Sequence, residues 1–142
     1  MKKVIRITAL LLVFALCIPV NVDAAEVVSP YASNYFMSYS TYLWETSSSS
    51  FQVWFNVTAV GTMTKLGVKY IDIERSSDGV NWSVVKTYEM EDYSSLVASN
   101  TYQHSGYVTY SGRQSGYQYR AYVDFYAKNG SGTASYGAYA YF

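Results

Sequence analysis

The stretch "IERSSDGVNWSVVKTYE", Ile73 to Glu89, decides how the chain is read. Before its turn, Ile71 and Ile73 point one way while Tyr70, Asp72 and Glu74 point the other, the period of two that a half-buried strand requires. At the turn, Asp78 can hydrogen-bond its own backbone and Gly79 accepts φ > 0 at no steric cost. The run "WSVVKTYEM" then returns as the hairpin partner, and Trp82 is placed to cover the open end of a core. Asp78, Gly79 and Trp82 are thus predicted to be a structural turn inside an antiparallel β-hairpin.

The same alternation continues outward. In "FQVWFNVTAV", Phe51, Val53, Phe55, Val57 and Ala59 share the face predicted to meet the core, with Gln52, Trp54, Asn56 and Thr58 opposite. Gly61 to Gly67 reads as a loop. Tyr35 to Trp44 reads as one or two short strands whose parity slips near Ser40 and Thr41, as at a bulge. "TSSSS", Thr46 to Ser50, reads as a flexible connector, and "EDYSSLVASN" as a loop. "TYQHSGYVTYS" gives a further strand. "GYQYRAYVDFYAKN" gives a long one, with Tyr117, Tyr119, Ala121, Val123 and Phe125 on one face and Gln118, Arg120, Tyr122, Asp124 and Tyr126 on the other. Asn129-Gly130 is a strong hairpin signal leading into "GTASYGAYAYF". No segment has a helical period, and the 17 tyrosines suit pleated, half-buried surfaces. The expected fold is all-β, an antiparallel two-sheet sandwich of about seven strands.

The first 24 residues are different. Lys2, Lys3 and Arg6 precede an apolar run from Ile7 to Val20, and Val22-Asp23-Ala24 supplies a small-residue processing site. This pattern predicts a secretory signal peptide over 1–24. The run is shorter than the roughly 20 residues a spanning helix needs, so no stable membrane anchor is expected after cleavage. The only cysteine, Cys17, lies in this segment without the small residue before it that a lipoprotein signal would want. A cysteine-free chain of about 118 residues is left, enough for one domain. The N-terminal strand segment and Ser-rich connector are read as 25–50 and the sandwich body as 51–142. Seven basic and nine acidic residues leave this part at a net charge of −2 without a basic stripe, so no nucleic-acid partner is expected.

The block Tyr70 to Glu89 and the block "GYQYRAYVDFYAKNGSGTASYGAYAYF" resemble the central and final hairpins of a fibronectin type III or immunoglobulin-like sandwich. That resemblance implies a tyrosine-corner residue at Tyr117 or Tyr119. From "VSPYASNYF" through "SSDGVNW" and "HSGYVTYSG" to "GYQYRAYVDFYA", the chain also resembles a group of small exported proteins of Gram-positive bacteria, a domain of unknown function. This second resemblance implies secretion and brings no catalytic residues. "SSDGVNW" itself resembles the Asp-box of sialidase-like propellers, with Gly79 directly after Asp78 and Trp82 one position early, and the Ser-x-Asp-Gly-x-x-Trp hairpin of carbohydrate-binding sandwiches.

The candidate site is a sheet face. Tyr70, Asp72, Arg120, Tyr122, Asp124 and Tyr126 would lie together if their two strands are neighbours, and tyrosine and arginine are favoured anchors in interfaces. Simple cross-strand packing would use the same residues. Catalysis has little to work with: His104 is the only histidine, the expected mature chain has no cysteine, and no Gly-x-Ser-x-Gly elbow occurs. No catalytic residue, metal site or cofactor is expected. The sequence therefore predicts a secreted, non-enzymatic binding or surface-association module for a cell-wall glycan or an extracellular protein. A self-associating envelope protein or a small secreted toxin is the alternative, and the oligomeric state stays open.

Overall fold

A computed structural model describes residues 26–28 and 33–142. The predicted signal segment 1–24, with Cys17, lies outside the described residues. The described residues are all-β and form seven antiparallel strands: β1 (Glu26–Val28), β2 (Phe36–Ser47), β3 (Ser50–Ser76), β4 (Ser83–Glu89), β5 (Val97–Tyr110), β6 (Gln118–Asn129) and β7 (Gly132–Tyr141). One short 3-10 turn, Ser94–Leu96, precedes β5. The hydrogen bonds make these strands one continuous curled sheet, where the sequence reading expects two sheets.

β3 is the reason. It runs for 27 residues and has a partner on each edge along most of its length. Its first half lies between β2 and β5, and its second half between β6 and β4. β1 extends the sheet beyond β2, and β7 extends it beyond β6. A straight strand of this length would span roughly 80 to 90 Å. Instead its ends meet: the Phe51 ring is 5.7 Å from that of Tyr119, which is paired in register with Arg75. The strand has folded over, and the sheet with it.

The fold-over is located by the register. Thr58 faces Gln103 and Met63 faces Thr101, so four β3 residues stand opposite Tyr102 alone. Nearby, Asn100 holds a left-handed φ of 53°. The segment Gly61 to Gly67, read from sequence as a loop, continues the strand. Its polar residues are overridden because β5 pairs with Met63–Gly67 on one edge while β6 pairs with Lys65–Gly67 on the other. Gly67 is needed for space, since a Cβ there would collide with the carbonyl oxygen of Leu96.

The core lies inside the curl. Phe51, Val53, Phe55, Val57 and Ala59 are buried as the alternation predicts, and Ile71, Ile73, Tyr119, Ala121, Val123 and Phe125 meet them from the second half. Fully burying one such phenylalanine or isoleucine contributes about 1.5 to 3 kcal/mol. Tyr39 bridges the halves, with its ring 4.8 Å from Phe125. Of the two tyrosines around the start of β6, Tyr119 is buried, and its hydroxyl accepts from the Gln114 N–H at 2.9 Å and donates to the Gly112 carbonyl at 3.5 Å. Tyr117 is exposed.

Three local readings need correction. In β2 the parity changes at Met37, between Phe36 and Ser38, and Tyr39, Thr41 and Leu43 then face inward without a break at Ser40 and Thr41. Thr41 is tolerated inside because its hydroxyl donates to the Trp54 carbonyl at 2.8 Å. "TSSSS" is a tight hairpin turn, with Ser47 paired to Ser50 and the hydroxyls of Thr46 and Ser50 at 2.7 Å, so it belongs to the sheet and does not link separate segments. Part of the expected loop "EDYSSLVASN" is also strand, since β5 begins at Val97. Gly67→Ala should cost about 2 to 3 kcal/mol through the clash with Leu96, measured as a fall in urea midpoint at unchanged slope. Gly130→Ala, in open space, should stay within about 0.5 kcal/mol of the parent.

Candidate binding site

The six residues singled out from sequence fall on one outer sheet face. β3 and β6 are direct neighbours, with Tyr70 opposite Asp124, Asp72 opposite Tyr122 and Glu74 opposite Arg120. β7 adds Tyr139 beside Tyr122 and Tyr141 beside Arg120, and β4 adds Thr87 beside Asp72. Tyr126 sits opposite Gly67, beyond the Tyr70 and Asp124 pair.

Arg120 is the centre of this face. Its Nε donates to Glu74 Oε2 at 2.6 Å, and its guanidinium lies 4.3 Å from the Trp82 ring centroid and 4.5 Å from that of Tyr139. Burial opposes the Arg120 charge, but the hydrogen bond and charge of Glu74 overcome it and hold the group more firmly protonated. Trp82 therefore lies under Arg120, outside the core that it was expected to cap. It is also tied to the turn, since its indole N–H donates to the Gly79 carbonyl at 3.2 Å.

The rings continue from there. Tyr122 is 5.1 Å from Tyr139 and 5.9 Å from Tyr70, and it lies so close over Gly137 that a Cβ on that glycine would enter its ring. Burial, then the neighbouring Tyr122, Asp124 and Asp72, push the Tyr70 hydroxyl above the ordinary tyrosine range. Asp72 accepts from the Thr87 hydroxyl at 2.5 Å. Asp124 is buried, and this burial raises its carboxyl against the lowering effects of Lys69 and the Ser135 hydroxyl. The face can offer flat aromatic surface around a fixed cation.

The Ser76 to Trp82 turn is a closed hydrogen-bond system. Asp78 Oδ1 accepts from the N–H groups of Val80 and Asn81 at 2.9 and 2.8 Å, and from the Ser76 hydroxyl at 2.8 Å. The backbone and side chain of Asn81, then Val80 and Ser76, hold its carboxyl well below the usual range. Gly79 has φ of 74°, the left-handed conformation the turn needs.

His104 is engaged structurally, with Nε2 bonded to the Ser95 carbonyl at 2.9 Å and its ring 5.5 Å from Phe55. Among the described residues, no three His, Cys, Asp or Glu side chains gather in a way that could hold a metal ion. Sequence reasoning missed a second aromatic row on the other outer face, where Tyr42, Trp54 and Tyr107 stand opposite one another across β2, β3 and β5. The outward position of Trp54 was the available signal; its neighbours depend on long-range register. Compared with protein-family models, curated proteins and solved structures, the chain gives no match.

Gly79→Val forces a branched residue into the left-handed region and should cost about 1 to 2 kcal/mol of stability, seen as a lower thermal midpoint. Asp78 has a folded pKa below its unfolded one, so its stabilising effect is complete above the ordinary value of 3.8 and fades as pH falls below it. Denaturant titrations of the parent and of Asp78→Ala should therefore differ at pH 6 and converge on the acid side.

Proposed function

We propose that this chain is an exported, non-catalytic binding module of a Gram-positive bacterium, and that it takes an extracellular protein partner on the outer face of β4, β3, β6 and β7. The supporting observation is the Arg120 guanidinium set between Trp82 and Tyr139 and held by Glu74, with Tyr70 and Tyr122 alongside. Arginine, tryptophan and tyrosine are the residue types that carry most energy in protein interfaces. They are held in place before a partner arrives, which lowers the ordering cost of binding. Lys69, Asp72, Glu74, Glu89 and Arg120 give the face mixed charge, which favours a protein over a neutral cell-wall glycan at this site.

Export is supported by Lys2, Lys3 and Arg6 before the apolar run and by the small-residue site at Ala24. The face-to-face halves of the curled sheet, together with the Tyr119 corner, support an architectural likeness to immunoglobulin and fibronectin type III sandwiches. That likeness carries no activity with it.

Labelled protein should be retained by bacterial cell walls that bear surface protein and released from walls stripped by protease. Tyr70→Ala combined with Tyr122→Ala should lower that retention about tenfold or more, a loss of roughly 1.4 kcal/mol, while thermal unfolding stays cooperative. Unchanged retention of the double variant removes the face from the proposal. Retention on stripped walls that the double variant loses moves the partner of this face to the glycan.

A further inference from the structure

We infer that the outer face of β2, β3 and β5 is a second binding site, and that its ligand is a neutral polysaccharide or oligosaccharide. The inference is independent of the protein-binding reading above, since the two faces lie on different halves of the curl and share no residue.

The geometry of the rings comes first. Tyr42 and Trp54 are parallel, with an interplanar angle of 0° and centroids 6.1 Å apart, and Tyr107 lies 4.6 Å from Trp54 on the other side. Trp44, at the next outward position of β2, is 60% exposed and enlarges this strip. The rings stand on regular paired strands, which fix them better than loops would. Trp54 is fixed further, because its indole N–H donates to Gln52 Oε1 at 2.9 Å. Tyr42 and Tyr107 remain 40% and 48% exposed, so the strip is open to solvent.

Charge then selects the ligand class. The register places Trp44, Gln52 and Thr109 in the row on one side of the rings and Ser40, Asn56 and Ser105 in the row on the other. None of these side chains is ionisable at neutral pH; they are amides, hydroxyls and an indole. A pyranose ring has an apolar face of C–H groups and a rim of hydroxyls. The first fits an aromatic strip, and the second fits flanking amides and hydroxyls. A nucleic acid or an anionic membrane would instead need cations. A second copy of the chain would have to bury the Gln52 and Asn56 amides with every hydrogen bond met. The opposite face, with Arg120, Glu74 and Lys69, has the reverse character, so the two faces sort ligands by charge.

The test uses affinity electrophoresis through gels containing a cellulose-type glucan or a mannan, and tryptophan fluorescence with a chitin oligosaccharide. At least one of these neutral probes should bind and change the emission of Trp44 and Trp54. Trp54→Ala should weaken binding tenfold or more, while Trp54→Phe keeps most of it and Val80→Ser, at the tip of the distant turn, changes nothing. Trp44→Ala should also weaken binding, and its exposure keeps the test valid if Trp54→Ala fails to fold. Absence of binding to all three probes overturns the inference, as does binding that both alanine variants leave unchanged. A dimer in gel filtration that Trp44→Ala dissolves, or capture by phosphatidylcholine vesicles that Trp44→Ala abolishes, would assign the face to another occupant and overturn it too. Failure here leaves the retention of the chain by protein-bearing walls untouched.

Discussion

The structure depends on β3 being paired on both edges while doubling back on itself. A strand with two neighbours has its backbone donors and acceptors satisfied within the sheet, so it can pass through the interior without unpaired polar groups. Folding over brings its own two inner faces into contact, which is why Phe51 near its start and Tyr119, the partner of Arg75 near its end, share one core. The other six strands complete one half or the other. Each half needs the opposite one to bury its apolar side, because a single sheet face cannot bury itself.

This arrangement leaves two outer faces with different chemistry. The β2, β3 and β5 side presents rings among neutral amides and hydroxyls, whereas the β4, β3, β6 and β7 side presents rings around an arginine and several carboxylates. On both faces, cross-strand aromatic pairs add about 0.2 to 1 kcal/mol each to the sheet. The residues proposed for recognition therefore also stabilise the sheet. Tyr122 illustrates this, since its ring covers Gly137, where the strand has no side chain of its own, while also standing beside Tyr70.

Much of the fold was legible where side chains alternate strictly. Phe51 to Ala59, Tyr70 to Glu74 and Gln118 to Tyr126 were assigned to their correct faces because parity is a local property. The gathering of Tyr70, Asp72, Arg120, Tyr122, Asp124 and Tyr126 followed from that parity once β3 and β6 proved to be neighbours. The continuation of β3 through Gly61 to Gly67 was not legible, because Thr-Met-Thr-Lys is held extended by partners distant in sequence. Tyrosine caused the misplaced parity slip in β2. Its apolar body and polar tip suit either side of a sheet, and here Tyr39 is 4% exposed while Tyr42 is 40% exposed. Trp82 misled for a similar reason, since an indole that could cap a core serves equally well beneath a guanidinium.

The long central strand also imposes an order on assembly. As the chain emerges with its N-terminal part first, the first half of β3 can close against β2 at once through the Ser47–Ser50 turn, and its second half gains β4 soon after. The remaining edge of that second half, from Lys65 to Ser76, has no partner until β6 has been made. It carries Leu66, Val68, Ile71 and Ile73, all fully buried in the finished protein. An apolar strand with an open edge is a template for pairing with another chain. The interval between β4 and β6 is thus when a nascent chain is most exposed to aggregation, and a holding chaperone would have its greatest effect there.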